Sequence, residues 1–389
     1  MTSATPTGDT TMFDLDADHT AFQQVCRDFV TDEMLPLRND AERTATFPDK
    51  LWPLLARAGL LGLGHPAEYG GMGGDTLAIA ILSEELAKAS GGMAVTILVS
   101  AYMAASHFTK FGNPEQQARF LRPVIGGEQV AAIAVTEPGA GSDVAAIQTS
   151  ARPVDGGYLL NGTKMFITNG AIADVVIVAA KTGSERHHGI TMFCVPRGTP
   201  GFGVGRALSK VGWHSSDTRE LVFEDCFVPD DAVLGTAGKG FHQIMAAFQM
   251  ERISLAGMGI GLAQAAFDDA LEYARTRRAF GATIGTYQSV RHRLSEMATL
   301  IAAARLLTYQ AATRLDSSHP QAPDSVAMAK LFAARAANTV ADDAVQIFGG
   351  YGFIEETPVA MHYRDARVLR IGGGTDEIQM EVLAKRLAL

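Results

Sequence analysis

The sequence predicts an α+β fold in which an N-terminal helical domain, a central β-barrel-like domain and a C-terminal four-helix bundle follow one another. Apolar residues recur at helical spacing from residue 18 to about 130 and again from 240 to the end, whereas residues 131–235 hold short runs rich in β-branched and aromatic residues. Because strands do not alternate with helices, the order argues against a βαβ nucleotide-binding fold. The expected domains are 1–130, 131–236 and 237–389.

Each of the three zones has its own periodicity. In the first, Phe22, Val25 and Phe29 lie on one helical face, and a glycine-rich loop at residues 65–74 interrupts the helical pattern. The expected strands of the second zone are residues 158–160, 175–178, 190–195 and 221–223. Long helical segments joined by short turns indicate an antiparallel bundle in the third zone, at residues 241–278, 289–317 and 324–348.

Composition and charge exclude several classes of function. The chain of 389 residues has a net charge of −9 and no cluster of Lys and Arg, so no nucleic-acid groove is expected. Cys26, Cys194 and Cys226 are far apart and fit neither a disulfide framework nor a metal site, which indicates reduced cysteines in a cytoplasmic protein. Residues 1–11 lack the basic and apolar regions of a signal peptide and are expected to form a frayed tail. The uncharged stretch 90–109 is diluted by polar residues and glycines, so we expect a buried helix there and no membrane span.

Glycine-rich segments are the candidates for cofactor contact. The run Val135–Asp143 offers backbone N–H groups and hydroxyls that suit a phosphate or the edge of a flavin, although an ordinary turn has the same composition. The hairpin-like segment Asn161–Gly170 contains Phe166, which is either a cover for a planar ring or a core residue of a strand. The segments at 346–352 and 372–376, each taken singly, are more typical of helix ends and turns. From these residues alone, both interpretations stay open.

Taken together, in this order and at this spacing, these segments resemble the acyl-CoA dehydrogenase family over essentially the whole chain. The matching motifs are Pro66–Gly71, Val135–Asp143, Phe166–Gly170, Arg277–Gly281 with Gln288, Gln346–Gly352 and Gly374–Gln379. The resemblance implies FAD as cofactor, an acyl-CoA thioester as substrate, an electron-transfer flavoprotein as electron acceptor and a homotetramer. The implied reaction is α,β-dehydrogenation to the trans-2-enoyl thioester. A dehydrogenase of acyl groups tethered to a carrier protein, an oxidase of the same fold and a catalytically silent binding protein are the alternatives.

The resemblance also assigns site residues by position. It implies that the flavin ring lies between the β domain and the C-terminal helices, beside two segments: Val135, Thr136, Gly141 and Ser142 in the first, and Phe166 and Thr168 in the second. Most members have Trp in place of Phe166, so stacking is kept and the indole N–H is lost. The other implied FAD contacts are Arg277 and Gln288 towards a neighbouring subunit's cofactor, Gln346, Gly349 and Gly350 at the pyrophosphate, and Thr375, Asp376 and Glu377 at the adenosine side. The implied substrate contacts are Ser142 and Arg252.

The catalytic base departs from the commonest family pattern. Many members have Glu directly before the final Gly-Thr, where this chain has Gly373. A second subset, which includes isovaleryl-CoA and long-chain dehydrogenases, carries the base on an earlier helix in a Phe-x-x-Glu-Arg segment, and Phe248–Arg252 resembles that segment. We therefore expect Glu251 to be the catalytic base. The absent side chain of Gly373 then leaves room for it.

The helix pattern supports Glu251 independently of the resemblance. Its neighbours one and two turns away are all apolar: Ile244, Ala247, Phe248, Leu255 and Met258. A carboxyl buried without a partner has a raised pKa, which suits a base that removes a carbon-bound proton. The structural alternative is an ion pair with Arg252 or with a more distant Lys or Arg. A backbone N–H of Glu251 or Gly373 is a candidate donor to the thioester carbonyl, whose negative charge grows as the α-proton leaves.

Overall fold

The first part of the chain is helical, as predicted. The computed structural model describes residues 15–387, so the tail expected at residues 1–11 lies outside the described part. The helices are α1 (Ala17–Phe29), α2 (Leu35–Thr44), α3 (Leu51–Arg57), α4 (Thr76–Ala89), α5 (Gly91–Leu98), α6 (Ala105–Phe111), α7 (Pro114–Gln116) and α8 (Arg122–Ile125). Short π-helical segments, Val30–Met34 and Val99–Ala104, connect α1 to α2 and α5 to α6 without a break.

The continuous helix Gly91–Phe111 is the centre of this region. Ser90 caps its start, because the Ser90 hydroxyl accepts the backbone N–H of Met93 at 3.3 Å. Among the described residues, this is the single helix long and apolar enough to cross a membrane by length and composition. In the protein, 94% of its most apolar window is buried. It therefore packs as a core helix, as expected for residues 90–109.

The central part of the chain is a β domain. Its strands are β1 (Ala131–Ala134), β2 (Ser150–Val154), β3 (Gly157–Thr168), β4 (Val175–Lys181), β5 (Ile190–Pro196), β6 (Phe202–Ala207), β7 (Thr218–Pro229) and β8 (Val233–Leu234). The strand order is β6-β7-β3-β2-β4-β5-β8, and β1 pairs in parallel with β4. The proposed domain limits fall directly before β1 and between β8 and the next helix.

Strand β4 is buried on both of its faces. Val175 and Ile177 pack against the core that contains α6 and α8, whereas Val176 and Val178 pack against the core between the sheet's own strands. A strand covered on both faces has a continuous apolar sequence, with no alternation of polar residues. This explains why residues 175–178 are recognisable as a strand although they show no two-residue period.

The last part of the chain is a helical domain. It consists of α9 (Gly240–Thr276), α10 (Gln288–Asp316), α11 (Ala322–Phe348), α12 (Pro358–Arg367) and α13 (Asp376–Arg386), with a small hairpin, β9 (Arg278–Ala279) and β10 (Ala282–Thr283), after α9. The three long helices agree with the predicted segments to within two residues at each end. The sequence patterns did not indicate α12 or the hairpin.

Glycines in α9 allow neighbouring backbones to approach closely. A Cβ at Gly257 would lie 2.7 Å from the carbonyl oxygen of Ala80 on α4, and one at Gly261 would collide with the carbonyl of Glu84 on α4. On another side, a Cβ at Gly259 would lie 3.0 Å from the carbonyl oxygen of Ala333 on α11. Helix α9 is therefore held in its middle by both α4 and α11.

Candidate active site

Glu251 lies on the apolar face of α9, as the sequence predicts. The side chains around it on the helix are buried or half-buried: Ile244, Ala247, Phe248, Leu255 and Met258. Burial raises the pKa of the Glu251 carboxyl to about 7, and the positive charges of Arg252 and Lys330 oppose that rise. Within residues 15–387, the carboxylate forms no hydrogen bond and no ion pair, and part of the side chain stays accessible. The ion pair with Arg252 that was the structural alternative is therefore not formed.

Gly373 meets Glu251 across the gap between α9 and the segment before α13. A Cβ built on Gly373 would lie 3.4 Å from Oε1 of Glu251 and would collide with Cδ1 of Leu255. Gly373 also has a φ of +65°, a left-handed conformation that disfavours any side chain. The structure thus brings together the two residues predicted to form the catalytic centre, and the left-handed backbone at 373 favours glycine there.

The backbone around Gly373 is held by three side chains. Arg252 donates from Nε to the carbonyl of Gly373 at 3.3 Å, and Gln379 donates to the carbonyls of Gly373 and Gly374 at 3.2 and 3.1 Å. The buried Lys330 of α11 donates from Nζ to the carbonyl of Gly374. Sequence reasoning missed Lys330, because a lysine in an alanine-rich helix has the appearance of a solvated surface residue. Its position between buried alanines, Ala329 and Ala333, was the only indication.

The first predicted flavin-side segment is a tight turn after β1. Glu137 and Ala140 exchange backbone hydrogen bonds of 2.9 and 3.1 Å, which closes the turn. Gly141 and Ser142 follow it and are exposed, and a Cβ at Gly141 would meet nothing within 4 Å. Val135 and Thr136 lie half-buried before the turn. The segment therefore presents short residues and open space at the edge of the β domain.

The second predicted segment contains a β-bulge that turns Phe166 outward. Strand β3 pairs Lys164 with Leu221 and then Ile167 with Arg219, so β3 has one residue more than β7 at this point. Phe166 has a φ of +60° and is 65% exposed. A large aromatic residue in a strained backbone conformation at a protein's surface is typical of a functional site. Of the two interpretations of Phe166, the core residue of a strand is therefore wrong.

The two segments lie side by side, whereas other predicted cofactor contacts form a second cluster. Met165 donates its backbone N–H to the carbonyl of Thr136 at 2.9 Å, which joins the two segments, and Thr168 ends β3 half-buried. The second cluster surrounds a cavity of about 490 Å³ whose lining residues all lie in the C-terminal helical domain: Tyr273, Arg277, Ile284, Ile347, Phe348, Gly349, Gly350, Tyr351 and Ile354.

Arg277, Gly349 and Gly350 are the predicted residues that this cavity brings together. The Arg277 guanidinium lies 5.9 Å from the centre of the Tyr351 ring, and a Cβ at either glycine would meet nothing within 4 Å. Gln288 and Gln346 are exposed and do not line the cavity. A cation beside glycine backbone with open space above it is suited to a phosphate group.

The segment Thr375–Glu377 is used in part by the fold itself. Thr375 caps α13, because its hydroxyl accepts the backbone N–H of Ile378 at 3.3 Å. Asp376 is buried and accepts from Arg335 at 3.0 Å and from Arg370 at 2.8 Å, so its carboxylate is held within the chain. Glu377 is exposed. The adenosine contact expected of these residues stays a prediction.

Three sequence models of one family match almost the whole described chain. The N-terminal domain of acyl-CoA dehydrogenases matches residues 16–128, the middle domain matches residues 132–226 and the C-terminal domain matches residues 238–388. The three matches follow the same helical, β and helical order as the fold.

Curated relatives match over nearly their full length. The mitochondrial short-chain specific acyl-CoA dehydrogenase of Mus musculus is 39% identical over 370 residues, which are 95% of this chain and 90% of the relative. The mitochondrial isovaleryl-CoA dehydrogenase of Oryza sativa subsp. japonica is 38% identical over 369 residues, 94% of this chain and 90% of the relative. Short-chain specific dehydrogenases of several organisms match at 38–40% identity, so the predicted isovaleryl-CoA-like subset is not confirmed.

Solved structures agree with the chain throughout its fold. Butyryl-CoA dehydrogenase from Megasphaera elsdenii superposes with a TM-score of 0.93 at 39% identity, covering 97% of this chain and 100% of that one. The FAD complex of PigA superposes with a TM-score of 0.93 at 31% identity, covering 97% and 99%. With all three family domains matched in order and relatives aligned over nine-tenths of their length, the chain belongs to the acyl-CoA dehydrogenase family.

Proposed function

We propose that this protein is an FAD-dependent dehydrogenase that oxidises the Cα–Cβ bond of an acyl-CoA thioester to the trans-2-enoyl thioester, with Glu251 as its catalytic base. The observation that carries the proposal is the unpaired Glu251 carboxylate beside Gly373, the position at which many family members have their base. The proposal includes membership in the subset whose base lies on the earlier helix.

The residues present fit FAD. Phe166 offers an exposed aromatic face next to the open turn at Gly141 and Ser142, which suits the flat ring of a flavin. The cavity at Arg277 and the open glycines Gly349 and Gly350 suit the pyrophosphate. FAD held by these residues would supply the acceptor for the β-hydrogen, which leaves the substrate as a hydride. The residues proposed to hold it are Val135, Thr136, Gly141, Ser142, Phe166, Thr168, Arg277, Gln288, Gln346, Gly349, Gly350, Thr375, Asp376 and Glu377.

Glu251 removes the α-proton in this proposal. A carboxyl with a pKa of about 7 holds a proton more tightly than an ordinary glutamate, whose pKa is about 4.3, and is still largely ionised at slightly alkaline pH. Arg252 and Lys330 keep the pKa from rising further, and they also hold the backbone carbonyls of Gly373 and Gly374, respectively, beside the base. The backbone N–H of Glu251 is used by the hydrogen bonding of α9, so the proposed donor to the thioester carbonyl is the N–H of Gly373, which would stabilise the developing enolate. Ser142 and Arg252 are the proposed substrate contacts.

Oligomerisation is part of the proposal. The cavity at Arg277 is built by the C-terminal helices alone, and the flavin-side segments lie in the β domain. We infer that each cluster contacts FAD from a different side, with Arg277 and Gln288 serving the cofactor of a neighbouring copy in a homotetramer. The proposed electron acceptor is an electron-transfer flavoprotein. The free, buried state of all three cysteines supports a cytoplasmic location.

Anaerobic flavin bleaching tests the function and the base together. The holoenzyme is mixed with acyl-CoAs of varied length and branching, and the loss of the yellow flavin band is followed in time. We expect the wild type and Glu272→Gln, which alters an exposed glutamate of the same helix, to bleach, whereas Glu251→Gln binds substrate and does not bleach. Bleaching of Glu251→Gln at the wild-type rate would show that another group is the base.

The same assay separates the alternative functions. If the wild type bound no flavin, or if no acyl thioester bleached its flavin, the chain would be a catalytically silent binding protein. Faster bleaching by acyl-pantetheine than by acyl-CoA would favour a carrier-protein substrate. Rapid reoxidation by oxygen after bleaching would favour an oxidase.

A further inference from the structure

A buried ion pair joins the two flavin-side segments of the β domain. Nζ of Lys164, on β3, lies 2.7 Å from Oε1 of Glu137, in the turn after β1, and Lys164 is fully buried. The same ammonium donates to the carbonyl of Val135 at 3.0 Å. Lys164 thus contacts both the side chain and the backbone of the first segment.

The carboxylate of Glu137 extends this connection to the next strand. It accepts the backbone N–H of Gln148 and, at 2.9 Å, that of Thr149, which directly precedes β2. Both charges are therefore satisfied by several partners, which offsets the cost of removing them from water. Because two apolar residues of similar volume would keep a fold as stable, stability alone does not account for this pair.

The pair is placed where it controls the position of Phe166. Lys164 is the last residue of β3 in regular register before the bulge that turns Phe166 outward. On the other side, Glu137 closes the turn that presents Gly141 and Ser142. Only Met165 and its hydrogen bond to Thr136 lie between the anchored lysine and the exposed ring.

From this arrangement we infer that Lys164 and Glu137 are positioning residues, which fix the separation between the Val135–Ser142 segment and the Phe166 ring and so set the shape of the flavin site. The inference rests on the proposed function, because it takes FAD to lie against these two segments. Neither residue is assigned a contact with the reacting atoms.

The test compares two buried ion pairs in the holoenzyme. Lys164→Met removes the cation beside Glu137, and Arg305→Met removes the cation that lies 2.8 Å from the fully buried Glu84, about 25 Å along α10 from Gln288. Both variants leave a carboxylate without its cation, so both should melt at lower temperature than the wild type. At a temperature where both are folded, the visible absorption of the bound flavin and the rate of FAD release on dilution are measured.

We expect only Lys164→Met to change the flavin. Its absorption band should lose fine structure and its FAD should leave about tenfold faster or more, whereas Arg305→Met should match the wild type in both respects. Equal flavin spectra and equal release rates in the two variants would overturn the inference. If the wild type itself bound no FAD, the proposed function would fail instead, so the two failures are distinguishable.

A double variant keeps the test decisive if Lys164→Met does not fold. Lys164→Met with Glu137→Met removes the stranded charge, so the fold should recover much of its thermal stability. FAD release should still be faster than in the wild type, because the backbone of Val135, Gln148 and Thr149 has lost its anchors. If the double variant recovered wild-type flavin absorption and FAD release together with its thermal stability, Lys164 and Glu137 would have only a structural role.

Discussion

Replacing Gly373 with alanine tests how closely the base is fitted against the segment before α13. Gly373 has a φ of +65°, and the left-handed conformation costs an ordinary L-residue about 1–2 kcal/mol. The new Cβ would also collide with Cδ1 of Leu255, but this atom is the end of a flexible side chain and can move aside at little cost. The expected loss is therefore about 1–2 kcal/mol, from a total free energy of unfolding of about 5–15 kcal/mol.

The effect on catalysis should exceed the effect on stability. Because the added Cβ would lie 3.4 Å from Oε1 of Glu251, movement that relieves the overlap also disturbs the base. A displacement of about 1 Å between reacting groups can cost about 100-fold in rate. We therefore expect Gly373→Ala to keep its flavin and bleach about 100-fold more slowly.

Gly372→Ala is the matched control for this prediction. A Cβ at Gly372 would lie 3.7 Å from its nearest neighbour, the carbonyl oxygen of Val368, which is an ordinary contact. Stopped-flow bleaching and thermal unfolding of both variants would be compared with the wild type. A Gly373→Ala variant that bleaches and melts like Gly372→Ala would refute the proposed fit between Glu251 and Gly373.

Three further predictions concern the charge of the base and the flavin face. The bleaching rate should rise with pH through a midpoint near 7, because burial raises the pKa of Glu251 to about 7 and only its ionised form accepts a proton. Lys330→Met should move this midpoint to higher pH, since the substitution removes a positive charge that favours ionisation of Glu251. An unmoved midpoint would contradict the role of Lys330. Glu251→Gln should melt at a higher temperature than the wild type above pH 7, because ionising the buried carboxyl disfavours the folded state. The unfolded carboxyl titrates near about 4.3, so the difference in melting temperature should be absent below that pH and should grow between there and pH 7. An equal difference at all pH values would be inconsistent with the raised pKa. Phe166→Ala should release FAD about two- to twelve-fold faster than the wild type because stacking is lost, whereas Phe166→Trp should release FAD no faster. Equal release rates from the wild type and both variants would show that the flavin ring does not stack on residue 166.

The surroundings of Glu251 were predictable because they lie within one helix. A period of 3.6 residues converts positions such as 244, 247 and 255 directly into one face, so an acidic residue among apolar neighbours is visible without a structure. The strand at 175–178 was predictable for a similar reason, since burial on both faces leaves a continuous apolar run.

Contacts between distant segments were predictable only through the family resemblance, or not at all. Gly373 is far from Glu251 in the chain, and no periodicity relates the two. The bulge at Phe166 depends on one extra residue relative to β7, which the composition of β3 does not indicate. The side chain of Asp376 is held by Arg335 and Arg370, and nothing in the local sequence distinguishes an internal ion pair from an exposed carboxylate.

Because α4 and α11 both contact α9 near its middle, a tilt of the helix about that point would move its two ends by different distances. Gly259 lies at the centre of these contacts. At about 1.5 Å per residue, Glu251 is about 12 Å from it towards the N-terminus of α9, and Arg277, which follows the last residue of α9, is about 27 Å away in the other direction. A tilt that displaces Arg277 by about 1 Å therefore displaces Glu251 by only about 0.4 Å. A rigid tilt about this point would therefore reach the carboxylate at less than half its size at the face that the protein is proposed to share with its neighbours.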